Sequence, residues 1–529
     1  MFPRFEPAAR LRPFSLLSAV QVRASGSSSA TPCPRPAPYC AVVASGVGER
    51  LVLAWRSGTD LLEAVYADGS ARLRVTTAGR TTEHRSRRFH RLDSPAEAVA
   101  LTLTGAHLTV LTRAPGADWV ARARVDLAER LDPRDEAWLA ALTVSHDGPI
   151  EQLEAGGFGQ LGLRDLRLAS HPDGTAYRLD DGRAVLSATS AGPGFFDTAH
   201  TSVWALDPAA LTLEHLSDLY FRRPDRPGVY GDHATHLVRD DDGTGPAWLV
   251  ATSTWGDFDA NRAGASVAVT LARTDADLLG GAGPDEASCE ASRREHVLDT
   301  EPLALPTDGF RSVGVWDPHL VRTDDGWLVG YVSARRFFRF HPVVAAGPSL
   351  DRLRVRGVDP KRTATEGTTL FRLVSRLAPL APQPAGEHLP PQPAGEHLPP
   401  RPVGEHLPPR PVGEHLPPQP AGEHLPPRPA EEWVVLASDG RDGRRRQRER
   451  YPVFDLSMRE IGTLTAPYPT NIPWPTLLPV STGSTSGEDE LLMIGFDGTP
   501  RGGSTSARSA RGLLGYGTHG DVVIARSAG

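Results

Sequence analysis

The chain has 529 residues and a net charge of −7, so it can hold two domains or one large domain with an accessory layer. This charge gives no general attraction to nucleic acid or to an anionic membrane, and no apolar run reaches the roughly 20 residues that span a bilayer. With 52 glycines and 49 prolines, the composition is typical of a turn-rich all-β protein. We therefore expect neither nucleic-acid nor membrane partners, and a cytoplasmic location because the first apolar patch is too short for a secretory signal.

The N-terminal part predicts two regions that differ in composition. Residues 1–37 are rich in Pro, Ser, Ala and Arg, which predicts a disordered segment. Residues 38–148 alternate apolar and polar positions between turns that carry Gly or Asp-Gly, which predicts an accessory antiparallel β unit. Near its end, residues 131–146 predict one short helix that leads into the rest of the chain.

A sequence repeat of two short apolar strands joined by a polar turn occurs five times between residues 149 and 529. The copies align on a leucine of the first strand: Leu168, Leu237, Leu320, Leu370 and Leu477. Repeats of this kind predict the blades of a five-bladed β-propeller, whose innermost strands surround a central channel. The predicted fold is therefore all-β, with the accessory unit preceding the propeller.

A proline-rich insertion interrupts the fourth copy over residues 376–431. Within it a nonapeptide of the type QPAGEHLPP repeats between residues 383 and 427. Proline at this density excludes ladder strands and helix interiors, so the insertion predicts a disordered, polyproline-like arm. We expect the two strands that flank it to pair as a hairpin, because long surface insertions cost little closure entropy.

Carboxylates stand at the openings of three of the first strands. Asp165 and Asp317 lie three residues before their aligned leucines, and Glu366 lies four residues before Leu370. Because the innermost strands of a propeller meet around one channel, these side chains are expected to share a pocket. Cleavage of a glycosidic bond needs one carboxyl that protonates the leaving oxygen and a carboxylate that activates water or attacks the sugar.

The segments VWDPHLV and TEGTTLF resemble the blade openings of the five-bladed glycosidases, namely glycoside hydrolase family 43 and, more distantly, family 32. The one-residue offset of Glu366 is also found in that family's motifs. The resemblance covers only short pieces of the predicted propeller. It implies that Asp165 is the general base, Asp317 the residue that tunes the site and Glu366 the general acid.

The second repeat departs from this pattern, because GDHATHLV offers Asp232, His233 and His236 where a carboxylate is expected to open the strand. The base can therefore be Asp232, the site can use histidine, or the pocket can be inactive. His319 aligns with His236, and His519 lies between glycines near the C-terminus. These histidines are candidates for substrate binding, and a structural metal ion near His519 is an alternative to a metal-free site.

Tryptophans at strand starts and ends complete the candidate binding residues: Trp255, Trp316 and Trp474. Their faces are suited to stacking on sugar rings, and packing between blades is the alternative. The sequence thus predicts a glycosidase that acts on an oligosaccharide or polysaccharide by carboxylate acid/base chemistry without a required cofactor. A non-catalytic propeller that binds carbohydrate or protein is the alternative function.

Overall fold

A computed structural model provides the structure of the chain. It describes residues 2–26, 30–194, 196–240, 243, 245, 247–280, 294–373, 432–438, 450–465, 475–480, 490–498 and 520–528. The all-β class predicted from the composition is confirmed. None of the helices in these ranges has the length and apolar character that a membrane crossing requires.

The first part of the chain forms thirteen strands and one short helix among the described residues. In chain order these are β1 (Phe5–Leu11), β2 (Ser15–Ala24), β3 (Thr31–Pro32), β4 (Tyr39–Ser45), β5 (Arg50–Ser57), β6 (Asp60–Ala67), β7 (Ser70–Thr77), β8 (Arg80–His84), β9 (Ala98–Thr104), β10 (His107–Arg113), β11 (Val120–Asp126), α1 (Glu136–Ala140), β12 (Thr143–Asp147) and β13 (Gln152–Gln160).

The second part continues with strands and one 3-10 turn, Phe196–Thr198. The strands are β14 (Leu163–Leu168), β15 (Ala184–Ser190), β16 (His200–Asp207), β17 (Thr212–Arg223), β18 (Arg226–Tyr230), β19 (His233–Arg239), β20 (Trp248–Ser253), β21 (Val269–Thr274), β22 (Glu295–Asp299), β23 (Glu301–Pro302), β24 (Gly314–Thr323), β25 (Gly326–Arg336), β26 (Arg339–Gly347), β27 (Arg354–Val358), β28 (Glu366–Leu373), β29 (Glu432–Ser438), β30 (Arg450–Phe454), β31 (Glu460–Thr465), β32 (Thr476–Val480), β33 (Glu490–Asp497) and β34 (Asp521–Ser527).

Two six-stranded sheets form a unit that we call the N-terminal sandwich, made of β2 to β13. One sheet has the order β11-β10-β9-β4-β13-β2 and the other β3-β12-β5-β6-β7-β8. In β7 the apolar side chains of Ala71, Leu73 and Val75 are buried while the residues between them are more exposed. This alternation is what the sequence predicted, because successive side chains of a strand point to opposite faces.

The helix predicted over residues 131–146 is confirmed in part. It spans Glu136–Ala140 and begins at Asp135, whose carboxylate accepts a hydrogen bond of 2.7 Å from the Trp138 N–H. The following residues, Thr143–Asp147, form β12 instead of continuing the helix, because they complete a ladder with β5.

Five further sheets follow, each containing four or five strands that are hydrogen-bonded in series. Sheet 1 is β14-β15-β16-β17-β18, with β22 added parallel to β17, and sheet 2 is β19-β20-β21-β23. Sheet 3 is β24 to β27, sheet 4 is β28 to β31, and sheet 5 is β32-β33-β34-β1. In sheet 4, β28 pairs with β29 from Glu366↔Ser438 to Leu373↔Glu432, so the hairpin predicted across the insertion forms. The nonapeptide repeat itself lies outside the described residues.

Each of the five sheets shares a buried apolar cluster with the next, and the series closes from sheet 5 back to sheet 1. Representative members are Val203, Leu237 and Val250 for sheets 1 and 2; Leu249, Leu320 and Val343 for sheets 2 and 3; Val321, Leu370 and Val435 for sheets 3 and 4; Leu436, Leu477 and Met493 for sheets 4 and 5; and Leu166, Ile494 and Val522 for sheets 5 and 1. The five leucines used to align the repeats are all buried.

The prediction that residues 1–37 are disordered is wrong for the strands they contain. Strand β1 pairs with β34 from Phe5↔Ser527 to Leu11↔Val522 and supplies the fourth strand of sheet 5. Phe5 is fully buried in the cluster between sheets 4 and 5. Strand β2 likewise pairs with β13, which lies beyond the boundary predicted at residue 148. These strands are stabilised by partners that are distant in the sequence, so local composition does not reveal them.

Candidate active site

A β-bulge recurs at the same place in the first strands of sheets 1 to 4. The ladder registers shift between Arg164/Arg167, His233/His236, Trp316/His319 and Glu366/Thr369. In each case the residue three positions before the aligned leucine has a positive φ: Asp165 (50°), Ala234 (60°), Asp317 (60°) and Gly367 (76°). Bulges re-aim side chains and are common beside active sites, and Asp tolerates the left-handed region better than most residues.

The carboxyl group of Asp317 lies in the electrostatic field of two other carboxylates. Its side chain is 3% exposed. Burial, together with the charges of Glu366 and Asp165, raises the pKa of Asp317 well above its ordinary value, against the opposing effects of Arg167 and the Gly367 N–H. The Asp317 backbone N–H donates to Ser253 Oγ at 3.0 Å and holds the bulge in place. Asp317 is therefore affected by the charges of both other carboxylates expected from the sequence, and a shared catalytic role for the three stays a prediction.

Arg167 is a fully buried cation beside these carboxylates, and the sequence analysis did not assign it a role. Burial lowers the pKa of its guanidinium to about 9, while the charges of Asp317 and Asp165 act in the opposite direction. Its Nη1 donates to Thr369 Oγ1 at 3.2 Å, which connects sheet 1 to sheet 4. The guanidinium is thus a positive charge that interacts with Asp317 and Asp165 and limits the repulsion between these two acids.

Two buried histidines, His236 and His319, stack on each other with ring centroids 4.2 Å apart and planes at 18°. Nδ1 of His236 accepts a 3.1 Å hydrogen bond from the Leu320 N–H, and Nδ1 of His319 accepts a 3.3 Å bond from the Leu370 N–H. Burial lowers the pKa of both rings well below the ordinary value, so both are neutral. These bonds link sheet 2 to sheet 3 and sheet 3 to sheet 4. Contact of either ring with a substrate stays a prediction.

These residues belong to a layer of polar side chains, each located immediately before an aligned leucine. Its members are Arg167, His236, His319, Thr369 and Thr476, and all are buried. The hydroxyl of Thr476 donates to the Leu166 carbonyl at 2.9 Å, so sheet 5 is connected to sheet 1 in the same manner. The layer therefore joins the first strands of all five sheets.

Asp232 takes part in a buried ion pair with Arg223. It is fully buried, accepts a 2.8 Å bond from Arg223 Nε and accepts a 3.0 Å bond from the Gly256 N–H. Arg223 also donates to Asp257 at 2.7 Å. These partners give Asp232 the environment of a structural acid that holds the loop after β20.

His233 is a buried side chain of sheet 2 that the charge of Asp165 affects; the sequence offered it at the opening of the second repeat, but it was not among the predicted site residues. It is 2% exposed, and its Nδ1 lies 3.1 Å from the Gly231 carbonyl. Burial lowers the pKa of this ring to about 4, and the Gly231 carbonyl and the charge of Asp165 raise it in part. The imidazole is therefore neutral, and the charge of Asp165 affects it. The signal in the sequence was its position four residues before Leu237, which corresponds to Glu366 in sheet 4.

Trp255 and Trp316 form an aromatic cluster next to Asp317. Their ring centroids are 5.2 Å apart, and both side chains are buried. The half-buried ring of Phe196 stacks on Trp255 at 4.3 Å. The packing between sheets that was the alternative for these tryptophans is thus present, while stacking on a sugar stays a prediction. Trp474 and His519 lie outside the described residues. Among the described residues, no group of three or more His, Cys, Asp or Glu side chains is placed to hold a metal ion.

Comparison with known proteins gives no match to a family model and no match to a curated protein. Similar solved structures include a family 117 glycoside hydrolase from Zobellia galactanivorans, at 12% identity and TM-score 0.34, covering 69% of this chain and 83% of that one. A GH43_1 enzyme from Xanthomonas citri matches at 13% identity and TM-score 0.34, covering 69% and 88%. Levansucrase from Bacillus subtilis matches at 7% identity and TM-score 0.32, covering 63% and 79%. Scores this low assign no function to the chain.

Proposed function

We propose that sheets 1 to 5 are the blades of a five-bladed β-propeller, and that the carboxylate group at its axis hydrolyses glycosidic bonds. The closed series of shared apolar clusters and the polar layer that joins the first strands support the propeller arrangement. Strand β1 completes the last sheet, so the two ends of the chain hold the ring together.

The observation that carries the enzymatic proposal is the electrostatic coupling of Asp165, Asp317 and Glu366 on equivalent bulged strands. Interacting carboxyl groups titrate as a set, and repulsion keeps a proton within the set at pH values where isolated carboxyls are ionised. Glycosidic cleavage requires this combination, since one group must donate a proton while another remains a carboxylate.

In this mechanism Glu366 donates the proton to the leaving oxygen, and Asp165 activates water or attacks the sugar. Asp317 is the most buried of the three, and its pKa is raised. Asp317 therefore holds the shared proton in the free protein and tunes the acidity of Glu366. Arg167 offsets the charge on Asp165 when the site is ionised. His233, neutral and near Asp165, can exchange a hydrogen bond with water or a sugar hydroxyl.

The test is a hydrolysis screen with 4-nitrophenyl glycosides of arabinose, xylose and galactose, and with fructose-, arabinose-, xylose- and galactose-containing oligosaccharides. Glu366→Gln keeps the shape of the acid and removes its proton. We expect it to lower the rate on oligosaccharides by about 10²–10⁴-fold and to affect the activated aryl glycosides much less, because a good leaving group needs little protonation. Asp317→Asn should slow both substrate classes, and Asp165→Asn should abolish turnover of both.

The control is Glu214→Gln, an exposed carboxylate in sheet 1 that pairs with Arg183 on the surface and should leave both rates unchanged. Wild-type rates on oligosaccharides for Glu366→Gln would move the acid to another residue. A protein that binds these oligosaccharides but cleaves none would be the non-catalytic binding propeller. That alternative is favoured by Ala234, which occupies in sheet 2 the bulge position that carries Asp in sheets 1 and 3.

A further inference from the structure

A cleft of about 620 Å³ lies between the N-terminal sandwich and the loops of sheets 1 to 3. The sandwich contributes residues around the start of β10 and the segment before α1, and the sheets contribute the loop after β20 and the turn between β25 and β26. The residues that line the cleft include His107, Arg134, Asp197, Asp257, Phe258 and Phe338. The cleft adjoins the aromatic cluster of the candidate active site, since Phe258 packs against Trp255 with ring centroids 4.8 Å apart.

The charged side chains of the cleft largely satisfy one another. His107 Nε2 and Asp197 Oδ2 are 2.7 Å apart, and Asp257 accepts from Arg226 Nη1 at 2.7 Å. Arg134 donates to the Gly256 carbonyl at 3.0 Å and lies over the ring of Tyr230. Paired acids and bases leave little net charge for an ionic ligand, while their remaining hydrogen-bonding capacity suits hydroxyl groups.

Two buried polar atoms of this lining have no hydrogen-bond partner within the protein. They are His107 Nδ1 and Arg134 Nε, on side chains that are 7% and 8% exposed. Buried polar groups are ordinarily hydrogen-bonded, because leaving one unsatisfied is costly. Both atoms come from the sandwich side of the cleft and lie beneath its accessible surface, so they mark a polar wall there.

Phe338 is the aromatic residue at the cleft with the greatest exposure, 46% of its surface. It occupies the turn between β25 and β26 with φ of +65°, a conformation that a bulky residue rarely adopts. The neighbouring Phe337 packs on Phe258, so the turn is anchored on the floor of the cleft. A strained backbone that presents an apolar ring to solvent is a feature typical of functional surfaces.

We propose that this cleft is a second carbohydrate subsite, which holds a remote, uncharged part of the glycan chain whose other end occupies the carboxylate site. Phe338 provides the stacking face, and the remaining hydrogen-bonding capacity of the paired Asp197 and Asp257 carboxylates provides hydrogen bonds to hydroxyls. The inference rests on the proposed function, because it assigns the substrate as a chain long enough to reach from the axis to the sandwich.

Calorimetric titration of wild-type protein with neutral arabino-, xylo-, galacto- and fructo-oligosaccharides of two to six units tests this proposal. Affinity should rise with chain length in at least one series. Phe338→Gly should weaken binding of the longest member about three- to tenfold, the range expected for loss of one aromatic contact, and leave the disaccharide unchanged. Its melting temperature should equal or exceed that of the wild type, because glycine fits a positive φ.

The control variant is Phe14→Ala, an exposed phenylalanine remote from the lining, which should keep the wild-type length dependence. Equal affinity of Phe338→Gly and wild type for the longest chain overturns the subsite, as does absence of any length dependence in all four series. Hydrolysis is scored separately. Length-dependent binding without cleavage would contradict the proposed function but support the subsite. Cleavage together with an unchanged length dependence in Phe338→Gly would support the proposed function but contradict the subsite.

Discussion

Replacing Arg167 by methionine is expected to destabilise the protein strongly and in a pH-dependent manner. The guanidinium is fully buried and acts on Asp165 and Asp317, so Arg167→Met leaves these acids without its compensating charge while keeping a side chain of similar length. Removal of one partner of a buried ionic group costs about 3–5 kcal/mol. We expect a loss of this size in the free energy of unfolding at pH 8.

The sign of the pH dependence follows from the carboxyl groups. Without the guanidinium, the pKa of Asp317 rises further, so the folded variant keeps protons that the unfolded chain releases above about pH 4. The variant's stability therefore decreases as the pH rises. The gap to the wild type should be small near pH 4, where both states are protonated, and largest near pH 8.

Urea unfolding at pH 4.5, 6 and 8 of the wild type, Arg167→Met, Asp317→Asn and the double variant measures this coupling. At pH 8 the double variant should be about 1–3 kcal/mol more stable than the sum of the two single changes predicts, since Asp317→Asn removes a carboxyl group that the folded Arg167→Met variant keeps neutral only by binding a proton. The matched control is Arg223→Met, which breaks the buried pair with Asp232 and should combine additively with Asp317→Asn. Additivity of Arg167→Met and Asp317→Asn within about 0.5 kcal/mol would refute the reasoning.

Three further predictions concern single positions. Asp317→Asn should raise the free energy of unfolding by about 1–2 kcal/mol at pH 8 and by little at pH 4, because the raised pKa penalises the ionised folded state; a pH series of melting curves decides. Ala234→Gly should stabilise the protein by about 1 kcal/mol in urea unfolding, since its φ of 60° is strained for alanine; a loss would contradict this. Phe5→Ala should lower the free energy of unfolding, measured in urea, by about 3–5 kcal/mol. A decrease below 1 kcal/mol would show that β1 does not hold the ring closed.

The repeat could be read from the sequence because each copy carries its own local signals. Buried leucines at equivalent positions and turn residues between strands fix the pairing of the first two strands of sheets 1 to 4, and even the insertion in sheet 4 does not obscure them. The N-terminal strand was missed for the opposite reason. Phe5 meets its partner Ser527 at the other end of the chain, and a strand stabilised by so distant a partner has no local signature.

In the candidate site, too, some residues could be predicted from local sequence signals and others could not. The positions of Asp165, Asp317 and Glu366 followed from the repeat, whereas the importance of Arg167 did not. Strict alternation places residues 165 and 167 on the same face, but a single charged residue of that kind is ordinarily solvated. Its full burial depends on the bulge and on the closure of the ring, which are properties of the assembled fold.

The bulge also explains why the carboxylate of sheet 4 is offset by one residue. In sheets 1 and 3 the left-handed position is occupied by Asp, a short side chain that tolerates this conformation and projects from the kink itself. In sheet 4 Gly367 occupies the same position, so no side chain projects from it, and the preceding Glu366 reaches the site with one additional methylene. Asp at the bulge in sheets 1 and 3, and Glu before a bulge glycine in sheet 4, are thus two local arrangements that are consistent with the charge effects of Asp165 and Glu366 on Asp317. The chemically distinct member, a longer and less buried glutamate beside a buried aspartate, is the one best suited to exchange a proton with a substrate.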